Sequence, residues 1–240
     1  IAGAGNFFKP EAPRFIFEGN EKLNINDENY YTTDAFTDKA IEYIDKVKRE
    51  NSEKPFFLYL SYNAPHWPLQ APKENIDKYR GNYMKGWENL REERYKRMIE
   101  MGLIDSSWDL SYDDIVSWDS LSKGKREEMD LRMAIYAAMI DRMDQNIGRL
   151  INDLKSKGLY DNTIIMFLND NGACAENDML GSYDENCLRE INLSDDVVNE
   201  FKLKYESIGY ESSLEEFISR DISDLISNEI DNGLYGLFNY

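Results

Sequence analysis

Apolar and polar residues follow each other along this chain in two different rhythms. From Phe36 the apolar positions recur at Ala40, Ile44 and Val47, with Asp38, Glu42, Asp45 and Lys46 between them. That spacing is one face of an amphipathic helix, and Thr33 stands where an N-cap belongs. Lys125 to Lys157 carries the longest such stripe, through Leu131, Ile135, Ala138, Met143, Ile147, Leu150 and Leu154. Gly158 supplies its C-terminal stop. Met84 to Met101, rich in Glu and Arg, predicts a further helix.

Two apolar runs lack helical spacing. Phe56-Phe57-Leu58-Tyr59-Leu60-Ser61-Tyr62 and Thr163-Ile164-Ile165-Met166-Phe167-Leu168 are short and continuous. Each suits a strand covered on both faces, with Tyr59 in the core. The first run stops at Asn63-Ala64-Pro65-His66-Trp67-Pro68, where the prolines cannot continue a ladder. The second closes on Asn169-Asp170-Asn171-Gly172. Helix, strand, excursion, long helix and strand in that order predict an α/β domain, its mostly parallel sheet flanked by helices. Sites in such sheets form beyond the carboxyl ends of strands, and both turns lie at such ends. Residues 1–30 read as loop, and 105–122 as an irregular excursion over the domain. A soft boundary near residue 176 separates residues 1–176 from an acidic segment, 177–240, to which the pattern assigns no role.

Composition narrows the function classes. The 240 residues are 42% hydrophobic, enough for a real core. A formal net charge of -18 argues against nucleic acid, whose phosphates need a basic face. No stretch approaches the ~20 apolar residues of a membrane helix. The opening Ile1-Ala2-Gly3-Ala4-Gly5-Asn6-Phe7-Phe8, without initiator Met or leader, reads like the interior of a domain. The two cysteines, Cys174 and Cys187, form no metal signature and are expected as buried free thiols.

Candidate chemistry gathers at the two turns. Asp170 and Asn171 are adjacent oxygen donors, a carboxylate and an amide carbonyl, which suit a hard cation such as Ca²⁺. The same four residues also read simply as a turn. His66 is the sole histidine, in a loop stiffened by Pro65 and Pro68. An imidazole held there could donate to an anion or take part in proton transfer; it could equally be a hydrogen-bonded loop residue. Trp67 could wall a pocket for an aromatic or sugar ring or pack in the core.

Taken together, Phe56 through Pro72, Tyr136 through Asp144, Leu159 through Thr163 and Thr163 through Glu176 closely resemble the arylsulfatase-type sulfatases. Ala2 through Phe8 and Tyr30 through Asp34 look like the segment before. The resemblance implies an alkaline-phosphatase-like α/β fold, with residues 1–176 as part of a catalytic domain. It also implies hydrolysis of sulfate esters, small-molecule or glycan, by a formylglycine nucleophile with a divalent cation, usually Ca²⁺. Carried over residue by residue, Asp170 and Asn171 match metal ligands. His66 matches the sulfate-contacting histidine, and Trp67 next to it is a substrate-binding candidate on its ring chemistry alone. Relatives of this type are often exported or lysosomal.

The chain also departs from the family. The Cys/Ser-x-Pro/Ala-x-Arg motif that yields formylglycine is absent from the 240 residues. So are the early paired aspartates and the upstream lysine and histidine. The formylglycine is therefore expected upstream, and this chain alone is expected to be inactive and to bind Ca²⁺ weakly. A degenerate, non-catalytic homologue or binding protein is the alternative. A phosphate or phosphonate ester hydrolase of the same superfamily is another.

Overall fold

A computed structural model describes residues 5–10, 15–111 and 116–172. The chain divides into two units, Ile1–Asn192 and Leu193–Tyr240, and every described residue belongs to the first. Cys174, Cys187 and the segment 177–240 lie outside the described residues. The elements in order are β1 (Phe17–Glu18), β2 (Glu21–Lys22), α1 (Thr32–Glu50), α2 (Lys73–Asp77), α3 (Trp87–Glu100) and α4 (Lys123–Ser156). Strands β1 and β2 pair antiparallel as a small hairpin.

Helix α1 buries Thr33, Thr37, Ala40 and Ile44 along one face and leaves Asp38, Glu42 and Lys46 in solvent. Thr33 is not its cap. The cap position is Tyr31, and the Thr32 N–H and Oγ1 both donate to the Phe7 carbonyl, at 2.8 and 2.9 Å. A carbonyl from 25 residues upstream thus receives one orphan backbone donor of the first turn together with the Thr32 hydroxyl. Helix α4 begins at Ser122, whose Oγ accepts the Lys125 N–H. It ends with Gly158 at φ 65° and Leu159 N–H donating to the Leu154 carbonyl, the closing bond of a Schellman turn.

The core is the seam where α1 and α2 pack on α4. Leu131, Ala134, Ile135, Ala138 and Met139 are all but sealed from solvent there. Met133 points outward. A second contact lies at the entry to α3, where Trp87 meets Trp118 edge-on with ring centroids 5.1 Å apart. Gly86, at φ 86°, admits this contact: a Cβ there would stand 2.6 Å from Trp118 Cγ.

The two runs expected as strands differ from expectation. Residues 56–62 and 163–168 carry no ladder hydrogen bonds, and the hairpin is the only sheet among the described residues. In the first run exposure alternates: Phe56, Leu58 and Leu60 pack half-buried, while Phe57 is 90% and Tyr59 81% exposed. Tyr59 is therefore not in the core. The second run is barer still, with Ile164 88% and Met166 78% exposed. The mostly parallel sheet is not formed among the described residues. The physical reason is pairing. A buried strand needs neighbours on its edges and layers on its faces, and these segments have a layer on at most one side.

Candidate functional site

His66 sits on a loop between the first extended run and α2. Its N–H donates to the Asn63 carbonyl at 2.8 Å, closing a turn. The Ala64–Pro65 and Trp67–Pro68 bonds on either side are cis. The imidazole is exposed, and its Nδ1 lies 2.7 Å from the Trp67 carbonyl oxygen. A carbonyl only accepts, so Nδ1 carries the proton. The other nitrogen, Nε2, is then the one whose lone pair is basic in the neutral ring. Trp67 is 45% exposed, so it is not a core residue.

The loop is held from behind. Ala64, Pro68, Gln70 and Ala71 are buried. Gln70 Oε1 accepts the Phe7 N–H at 2.7 Å, and the Gln70 carbonyl accepts the Tyr31 hydroxyl at 2.9 Å. Just beyond, Asn75 on α2 donates to Asp141 on α4 at 2.7 Å, joined by Lys78 at 2.8 Å and Gln145 at 2.9 Å. Burial alone would raise the Asp141 carboxyl. The hydrogen bonds from Lys78, Asn75 and Gln145 outweigh it and hold the group below the ordinary aspartate range. A cavity of about 350 Å³ opens between Phe8, Tyr31, Asp34, Gln70, Pro72 and Arg142; neither His66 nor Trp67 lines it.

Asp170 and Asn171 stand on an exposed turn after the second extended run. Asp170 Oδ1 accepts the Asn171 N–H at 3.0 Å, and Asn171 Nδ2 donates to the Gly172 carbonyl at 2.6 Å. These bonds are local, so the turn is shaped by its own residues. They leave Asp170 Oδ2 and the Asn171 amide oxygen as the hard donors that a Ca²⁺ ion accepts. The donor chemistry fits. The number falls short, because such an ion takes roughly six to eight oxygens and no cluster of three acidic, His or Cys ligands occurs among the described residues. The contacts that fix the His66 loop and those that shape the Asp170 turn are separate sets.

Sequence reasoning missed Asp130. It is buried on α4, takes the Gly81 and Tyr83 N–H groups at 2.9 and 3.0 Å, and faces Arg80 at 3.2 Å. It fastens the segment between α2 and α3 to the core. Only its place inside the apolar stretch of α4 marked it beforehand.

The family model for sulfatases matches residues 2–199. The chain belongs to the sulfatase family. An uncharacterized sulfatase of Schizosaccharomyces pombe is 42% identical over 60% of this chain and 26% of its own length. An arylsulfatase of Klebsiella aerogenes is 31% identical over 80% of this chain and 39% of its own length. An arylsulfatase of Clostridium perfringens is 28% identical over 65% of this chain and 28% of its own length. The chain thus spans between about a quarter and two-fifths of these relatives. No helix among the described residues is long and apolar enough to cross a membrane.

Proposed function

We propose that this sulfatase-family chain contributes the sulfate-contacting loop and part of the metal shell of a Ca²⁺-dependent sulfate-ester hydrolase. The observation that carries the reading is the family match over residues 2–199, which includes both turns that bear His66 and Asp170. The exposed imidazole and the exposed pair of oxygen donors support it.

In this reading Asp170 and Asn171 supply a carboxylate and an amide oxygen to the cation. The cation, when bound, would draw electron density from the sulfate and offset the charge of the transition state. His66 does its part through Nε2. In the imidazolium form that nitrogen donates to a sulfate oxygen, while Nδ1–H on the Trp67 carbonyl keeps the ring turned outward. Trp67 flanks the ester group of an aryl or sugar sulfate. The nucleophile, a formylglycine, belongs to the part of the enzyme outside these residues, since the motif for it does not occur in them. The extended runs 56–62 and 163–168 are then strands of the mostly parallel α/β sheet that the whole enzyme completes. Family analogy assigns the enzyme to an extracytoplasmic compartment.

Two measurements on the 240-residue chain test this reading. The first is turnover of a chromogenic aryl sulfate with added Ca²⁺, beside a His66→Ala variant. No turnover is expected, and turnover lost in the variant would show that the nucleophile lies within these residues. The second is the NMR signal of the His66 ring during titration with inorganic sulfate. A response that strengthens with Ca²⁺ and depends on Asp170 is expected. A silent ring would overturn the reading, and a response to phosphate but not sulfate would move the ester class.

A further inference from the structure

The geometry points to Gln70 and Tyr31 as positioning residues for His66, acting through a closed ring of hydrogen bonds behind the loop. The inference rests on the reading of His66 as the sulfate-contacting group and adds how that group is aimed.

The ring runs as follows in space. Gln70 Oε1 accepts the Phe7 N–H, and the Phe7 carbonyl accepts both donors of Thr32. Thr32 is covalently next to Tyr31, whose hydroxyl donates back to the Gln70 carbonyl. The Tyr31 ring also stacks on Phe7, centroids 5.8 Å apart. All four residues are at most 4% exposed. Inside such a dry ring each bond is worth more than at the surface, and opening one leaves a buried polar group unmatched.

Support from behind matters to the His66 loop because its prolines reduce the donors it can bring to its own turn. Pro65, Pro68 and Pro72 have no N–H to give, so the chain there has few main-chain anchors. The anchor that Gln70 provides lies two residues beyond Pro68. Pro68 shares a peptide unit with the Trp67 carbonyl, and that carbonyl holds Nδ1–H of His66. A chain of bonded neighbours therefore runs from Gln70 to the imidazole. Holding Gln70 holds the Trp67 carbonyl, and that carbonyl accepts the Nδ1–H of His66.

The chain has one histidine, so its ring gives one set of imidazole signals. The test is long-range ¹H–¹⁵N NMR of the full 240-residue chain at mildly alkaline pH, without sulfate or metal, which reads the tautomer directly. The unaltered chain should show the Nδ1–H form. Gln70→Met and Tyr31→Phe should each shift the tautomer ratio toward Nε2–H by roughly fivefold, the factor one ordinary hydrogen bond corresponds to. Asn146→Ala is the control: Asn146 bonds α1 to α4 through Asp34 and touches neither the loop nor the ring. It should lower stability and leave the tautomer alone. Tyr31→Phe keeps the aromatic stack, so it stays informative if Gln70→Met does not fold. An unaltered chain in the Nε2–H form, variants that leave the ratio unchanged, or an equal shift in Asn146→Ala would overturn the proposal. Because no sulfate is present, a ring that is correctly held yet silent to sulfate would count against the functional reading alone.

Discussion

Arg142 on α4 grips Asp34 on α1 with two parallel bonds, Nε to Oδ1 at 2.8 Å and Nη2 to Oδ2 at 2.7 Å. The two residues are 108 positions apart in the chain. Asn146 adds a third donor to the same carboxylate at 2.6 Å. This fork-to-fork pair raises the Arg142 guanidinium further above its usual value, with the Asp34 bonds outweighing the effect of burial. It ties α1 to α4 at one end of a line of ion pairs that continues through Arg149 with Asp38 and Lys157 with Asp45.

Loss of that pair should therefore cost more than a surface ion pair does. Arg142→Ala is expected to lower unfolding stability by about 2 kcal/mol, the scale of hydrogen bonds to charged groups. Urea unfolding followed by circular dichroism checks it. A loss no greater than that of Lys73→Ala, whose partner Asp77 is half in solvent, would mean that the pair contributes little.

The apolar seam of α4 makes a second, sharper contrast. Ile135 is 1% exposed, whereas Ile140, five residues on, points outward. Ile135→Ala should cost about 3 kcal/mol through lost burial and the cavity left behind, and Ile140→Ala under about 1 kcal/mol. Equal losses at the two sites would contradict the facing of α4 described above.

The bare extended runs should betray themselves in solution. Amides within 57–60 and 164–168 are expected to exchange with deuterated solvent far faster than those of α4 from Leu131 to Met143. Phe57→Lys and Ile164→Lys should raise solubility with little change in unfolding midpoint, since both side chains already face water. Slow exchange in these runs would show that they are paired in the isolated chain.

Acid should loosen the contact between α2 and α4. The folded Asp141 carboxyl sits below its ordinary 3.8, so it contributes stability that is present above that value. That contribution is lost as pH falls through the folded value. Asp141→Asn should therefore narrow the difference in unfolding midpoint between pH 5 and pH 3. An unchanged difference would assign the acid sensitivity to other groups.

How much of this was legible beforehand varies from element to element. Ala40 and Ile44 lie buried where the helical spacing put them, and Leu131, Ile135 and Ala138 do the same on α4. Gly158 ends α4 as its sequence signal said. Thr33 did not cap α1: the helix already begins at Thr32, whose N–H the Phe7 carbonyl takes. The roles of Asp34, Asp130 and Asp141 were invisible, since their long-range partners are brought in from 47 to 112 residues away. His66, Asp170 and Asn171 were picked out by family resemblance and Trp67 by its ring, and all four are exposed.

By itself the sequence determined helices α1, α3 and α4, the apolar faces of α1 and α4, and the family to which both turns belong, but not α2. Those properties are local or depend on residue order, so they survive without knowledge of what packs on what. The tertiary structure decided which apolar runs are covered, which carboxylates are tied down, and which nitrogen of His66 carries the proton. Each of those depends on a neighbour distant in the chain: Phe7 and Tyr31 behind Gln70, Arg142 on Asp34, and the lack of a pairing edge, among the described residues, beside Phe57 and Ile164. Periodicity can report that a residue is fit to be buried. Whether it is buried depends on what the folded chain sets against it.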